Sequence, residues 1–126
     1  MGAAFHLARE HMQQEYQHML KLRDHFLQAL SEIKNMRLNT NLTHCVPHIL
    51  NLRFEGMLAD AILAKLPFIA ASTASACQGK GTEGSYVLRA MGYTDEQIKS
   101  SVRFSFGRFT TLQDINEAAR LIKQIF

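Results

Sequence analysis

A helical stripe at the start of the chain constrains its fold more than any other feature. Met12, Tyr16, Met19, Phe26, Leu30 and Ile33 recur at intervals of three, four or seven residues, while Arg9, Glu10, Gln13, Gln17, Lys21 and Asp24 fill the other faces. This is the pattern of one amphipathic helix from about Gly2 to Ile33. At roughly 32 residues it would be ~48 Å long. A chain of 126 residues makes one small domain that buries roughly 65% of its unfolded surface, and such a globule cannot flank so long a rod. The helix is therefore expected to link two bodies or to lie along a partner. The chain divides on this reading into a linker helix, residues 1–34, and a small α/β domain, residues 35–126.

Beyond the helix the periodicity changes to two. Met36 and Leu38 suggest a brief strand, and Leu50, Leu52 and Phe54 alternate with Asn51 and Arg53 in a clearer one. A helix is expected over Glu55 to Leu66 with Leu58, Ile62 and Leu66 on one side, then a third strand over Phe68 to Ala71. A helical pattern begins near Ser85. Thr94-Asp95-Glu96-Gln97 spells a capping box, and Thr110 with Gln113 repeats the device before a last helix whose inward stripe is Ile115, Ala118, Ala119 and Ile122. In the strand from Val102 to Phe106, Val102, Phe104 and Phe106 share one face and leave Arg103 and Ser105 on the other. Strands alternating with helices predict a small two-layer α/β domain, a sheet with helices packed on it.

Composition narrows the functional classes. Hydrophobic residues make up 47% and charged residues 20% of the chain, an ordinary globular balance. The net charge of +3 comes without a basic run, so nucleic acid is not an expected partner. The apolar stretch from Ala61 to Ala71 is broken by Lys65 and Pro67, so no membrane segment is expected. Nor does the N-terminus carry a charged-then-apolar signal pattern. Cys45 and Cys77 lie far apart and match no paired metal or disulfide spacing, which points to a reducing, cytoplasmic setting. Cys45, beside His44, reads as a partly buried structural thiol. His11, His18 and His25 repeat every seven residues. Such steps place side chains ~10 Å apart along a helix, too far to share an ion, so they are expected to be solvated. His44 and His48 enclose Pro47, which argues against a helix there.

Two residues carry candidate chemistry. Cys77 lies among small residues, with Gly79 and Gly81 to let the backbone move, Lys80 three positions on, and a helix start near Ser85. A cysteine is a nucleophile as its thiolate, which exposure and nearby positive charge favour. Arg103 stands in the middle of an apolar strand and needs a partner. Its guanidinium matches a substrate carboxylate, the alternatives being a structural ion pair or an exposed edge-strand face. Gly79 to Gly84 also spells G-x-G-x-x-G, but the glycines do not follow a strand directly and no acidic residue ends the next strand, so a dinucleotide site is rejected.

Three runs bear a family resemblance. Ser75-Ala76-Cys77, Ser85-Tyr86-Val87-Leu88-Arg89-Ala90-Met91-Gly92 and Val102 through Thr111 closely resemble the C-terminal region of cysteine desulfurases of the housekeeping, long-loop group. Asn51 to Gly56 and Met1 to Ala4 extend the likeness in register. These are pyridoxal-phosphate enzymes of fold type I, the aspartate-aminotransferase fold, and the resemblance implies their C-terminal small domain preceded by a long helix. It implies that Cys77 is the catalytic residue that takes sulfur from L-cysteine, leaving L-alanine, and hands the persulfide to acceptor proteins such as those of iron–sulfur cluster assembly. It implies that Arg103 binds the substrate carboxylate, and it leaves Arg108 a structural role. The family's large domain, whose lysine holds the cofactor, has no room in these residues. The chain alone is then expected to be catalytically silent and not to retain pyridoxal phosphate. Its expected partners are that large domain, sulfur acceptors, and a second copy paired through the first helix as a homodimer. The alternative is a non-enzymatic persulfide carrier or interaction module. The run Gln78-Gly79-Lys80-Gly81 departs from the family's serine-rich loop.

Overall fold

A computed structural model describes residues 1–73 and 85–126. The expected long helix is present as α1, Gly2–Ala29, 28 residues in length. It ends short of Ile33 because the chain tightens there. Ile33 N–H donates to Leu30 O at 3.0 Å, and the Ser31 hydroxyl takes Gln28 O at 2.8 Å. Leu30 and Ile33 remain buried through this turn.

The remaining elements are β1 (Met36–Leu38), β2 (Ile49–Phe54), α2 (Ala59–Ala64), β3 (Ser72–Thr73), α3 (Tyr86–Ala90), α4 (Asp95–Lys99), β4 (Ser101–Ser105) and α5 (Leu112–Lys123). The strands form a four-stranded sheet in the order β1-β2-β4-β3, every neighbouring pair antiparallel. Leu50, Leu52 and Phe54 of β2 and Val102 and Phe104 of β4 face one side of it. There they pack with Leu22, Phe26 and Leu30, with Ile62 and Leu66, and with Ile115, Ala119 and Ile122 of α5. Phe26 sits edge-on to Phe104 and Phe106, at centroid distances of 5.3 and 5.7 Å. The α/β reading of the sequence stands.

Several boundaries moved, each for a local reason. The second helix begins at Ala59 rather than Glu55, since Gly56 adopts φ +87° and turns the chain. Leu58 precedes the helix and is 59% exposed instead of facing inward. Phe68 to Ala71 is not a strand: successive turns run through Leu66 and Ile69, Phe68 is 90% exposed, and the strand is confined to Ser72–Thr73. The expected capping box at Thr94 and Gln97 is complete. The second lies one residue later than expected, at Thr111 and Asp114. Thr110 is otherwise engaged, its hydroxyl accepting Gly107 N–H at 2.8 Å to close the β4–α5 loop.

The heptad histidines are not uniformly solvated. His11 is exposed, but His18 and His25 are half-buried. His18 Nε2 bonds Thr110 O at 2.9 Å, and His25 Nε2 bonds Asn116 Oδ1 at 2.7 Å. The side of α1 that looked like a polar surface is thus the side that docks on the β4–α5 loop and α5. Among the described residues no helix is long and apolar enough to cross a membrane.

Candidate functional site

The alternation of β4 puts two kinds of chemistry on its two faces. Val102 and Phe104 are buried in the core, and Arg103 projects from the opposite face, half-buried. In the sheet, Arg103 lies opposite Asn51 of β2 on one side and Ser72 of β3 on the other. Arg103 makes no ion pair among the described residues, and its Nε is buried without a hydrogen-bond partner. A buried Nε–H left in that state is costly, so the half-exposed guanidinium is a recipient for an anionic oxygen.

The other arginine of this face also has a buried Nε without a hydrogen-bond partner, but unlike Arg103 it has a counter-ion. Arg53 is buried under the Tyr93 ring, 5.6 Å from its centroid, and reaches Glu55 at 3.2 Å. Arg37 shares that carboxylate at 3.5 Å. Tyr93 lies between α3 and α4, whose ends are locally fixed. Ser85 caps α3 through Leu88 N–H at 3.3 Å, and Arg89 bonds Asp95 at 2.7 Å across the α3–α4 turn. A buried polar cluster completes the face: Asn39 Nδ2 donates to Asn51 Oδ1 at 2.7 Å and to Ser101 Oγ at 2.9 Å, and Ser101 Oγ donates to Gln97 O at 2.7 Å.

Cys77, Lys80 and the Gly79 to Gly84 run lie outside the described residues, between β3 and α3. Arg103 is the expected site residue that the fold does place. Arg108 is tied to Glu15 of α1 in an ion pair that anchors the helix. Cys45 is half-buried, with Arg23 Nη1 4.0 Å from its sulfur. Among the described residues no group of His, Cys, Asp and Glu is arranged to hold a metal. An apolar groove of about 540 Å³, lined by Phe26, Phe68, Phe104, Phe106, Ile115 and Leu121, lies on the core side of the sheet, away from the Arg103 face.

Pyridoxal phosphate, implied by the resemblance, does not fit the described donor set. Lys21, Lys34, Lys65, Lys99 and Lys123 are all exposed, Lys123 is held by Glu32 at 2.8 Å, and neither strand neighbour of Arg103 is a lysine. Sequence reasoning missed the roles of Asn51, His18 and His25. Asn51 was legible only as the polar half of an alternating strand, because its neighbour depends on which strand pairs with it.

Known proteins converge on one kind of molecule. The family model described as aminotransferase class-V matches residues 1–117. Cysteine desulfurase IscS of Vibrio cholerae serotype O1 is 45% identical over 123 residues, covering 98% of this chain and 30% of its own length. The same enzyme of Pseudomonas aeruginosa is 42% identical over 122 residues, again 30% of its length. Among solved structures, a NifS-like protein from Rickettsia africae superposes with a TM-score of 0.81 at 24% identity, covering 94% of this chain and 31% of that one. DndA from Streptomyces lividans gives a TM-score of 0.58 at 31% identity, over 79% of this chain and 28% of its own. The chain thus spans less than a third of the length of the relatives it matches.

Proposed function

Because the chain belongs to the aminotransferase class-V family, we propose that it is the small, sulfur-handling portion of a cysteine desulfurase. The net reaction moves the sulfur of L-cysteine to Cys77. The carbon–sulfur bond of the substrate breaks, a sulfur–sulfur bond forms on Cys77, and the carbon keeps the electron pair and takes up a proton to give L-alanine. Arg103 anchors the substrate carboxylate throughout. The cofactor and its lysine belong, on this reading, to the larger part of the relatives' length, so the chain by itself turns over no substrate.

The observation that carries the reading is Arg103, half-buried on a strand and without a counter-ion among the described residues. A persulfide carrier that receives sulfur from another protein has no use for an amino-acid anchor. L-Cysteine, the lysine-bearing portion and sulfur-acceptor proteins are the partners this implies. The bare start of α1 is the surface for pairing with a second copy.

The test is sulfide release from L-cysteine under reductant, using this chain together with the lysine-bearing portion of a cysteine desulfurase. Turnover is expected with both parts only, and Cys77→Ser is expected to abolish it. Arg103→Ala should raise KM at least about tenfold, as loss of a charged hydrogen-bonded contact does. Full turnover by the Cys77→Ser variant would sink the assignment.

A further inference from the structure

We infer that Asn51 is a second carboxylate-binding residue at the Arg103 site, its side-chain amide standing beside the guanidinium. The inference rests on the reading of Arg103 as a carboxylate anchor. It begins with the phase of the β2–β4 ladder. Phe54 N–H bonds Ser100 O at 3.0 Å and Phe106 N–H bonds His48 O at 2.8 Å. Counting by twos from these, Asn51 and Arg103 form a non-hydrogen-bonded pair. In such pairs the α-carbons are about 4.5 Å apart and the side chains are closest. Both residues are half-buried, so a ligand can reach them.

The amide orientation follows from one proton. Ser101 Oγ has a single hydrogen, and it goes to Gln97 O at 2.7 Å. Ser101 must therefore accept from Asn39, which makes the facing atom of Asn39 its Nδ2. The same Nδ2 reaches Asn51 at 2.7 Å, so Asn51 presents Oδ1 to it. Asn39 lies on the β1 side of Asn51, since Asn39 N–H bonds Asn51 O at 3.0 Å. The NH2 end of Asn51 is then turned away from the Asn39 amide, on the face of the sheet that Arg103 shares. Asn51 Nδ2 makes no hydrogen bond among the described residues, although the rest of the residue is fully engaged, its own N–H bonding Thr40 Oγ1 at 2.8 Å.

Two donor groups side by side suit one acceptor. A carboxylate has about four lone-pair positions, of which a guanidinium fork takes two, leaving room for an amide N–H. Asn39 is buried, so the acceptor end of Asn51 is held and the donor end is pre-set before a ligand arrives. The pair selects a carboxylate over a carboxamide, whose NH2 group would face donors.

The experiment is side-chain NMR on the full chain, titrated with L-alanine and, separately, with L-alaninamide. L-Alanine should shift the Arg103 Nε–H and Asn51 Nδ2 resonances together, and L-alaninamide should shift neither. Asn51→Ala should weaken L-alanine binding about tenfold, and Asn51→Ser, which keeps a hydroxyl for Asn39, should fall between. If Arg103 responds while Asn51 stays still, and neither variant changes the affinity, the inference is wrong and the anchor stands. If neither resonance responds, both are wrong. The wild-type titration decides the matter even where a variant folds poorly.

Discussion

The two halves of α1 carry one continuous apolar repeat and meet different surroundings. Phe26 and Leu30 lie in the core, Phe26 only 1% exposed between Phe104 and Phe106. Phe5 and Met12, on the same helical face by periodicity, are 75% and 66% exposed. Three contacts mark the border: Glu15 with Arg108, His18 with Thr110 and His25 with Asn116. N-terminal to Glu15, every residue of the helix is exposed. A hydrophobic repeat therefore reports which face of a helix seeks cover, and not how far along the helix cover is supplied.

The sharpest test of that contrast is Phe26→Ala. It should cost about 3–5 kcal/mol in chemical denaturation, the usual range for emptying a packed aromatic site. A cost near zero would mean that the C-terminal half is no better covered than the N-terminal half.

Next in size is the cap of α5, the helix on which the covered half rests. Thr111→Ala should lower stability by about 1 kcal/mol. The Thr111 backbone N–H and hydroxyl both bond Asp114 Oδ2, at 2.8 and 2.7 Å, and hold its carboxyl below the ordinary range. A carboxyl whose folded value is lowered contributes stability above its unfolded value, and that contribution disappears as pH falls through the folded value. The wild type should thus lose this increment on acidification below about pH 4. The Thr111→Ala variant should show a flatter acid limb, and an unchanged limb would remove the cap from the account.

The smallest effect on folding is expected in the bare half. Phe5→Glu with Met12→Glu should change stability by no more than about 0.5 kcal/mol, as surface substitutions do. Light scattering should nevertheless show the wild type above 14.3 kDa at micromolar concentration and the double variant shifted toward that mass. A wild type that stays monomeric when concentrated would break the proposal that a second copy covers this half.

Much of the fold was legible because its cues are local. Thr94 and Gln97 announced α4, Ser85 announced α3, and the alternation of Leu50, Leu52 and Phe54 and of Val102 and Phe104 announced the core faces of two strands. Errors came where two local cues competed. Gly56 ended a run that looked helical by period, and Thr110 and Thr111 offered the same cap one residue apart, with only the first already used by Gly107. The site was half legible. An arginine interrupting an apolar strand is visible in sequence as an unpaid charge, whereas Asn51 is one polar residue among many until β2 is laid against β4.

By itself, the sequence determined which residues form helices and strands and which face of each is apolar, since propensity, capping and periodicity act within a few residues of chain. Only the tertiary structure decided that β2 pairs with β4 in the register that sets Asn51 beside Arg103. It also decided that His18 and His25 dock rather than face water, and that α1 is covered from Glu15 onward but not before. These outcomes depend on groups far apart in sequence, such as His18 and Thr110, and burial is a property of what arrives at a surface as much as of the surface itself.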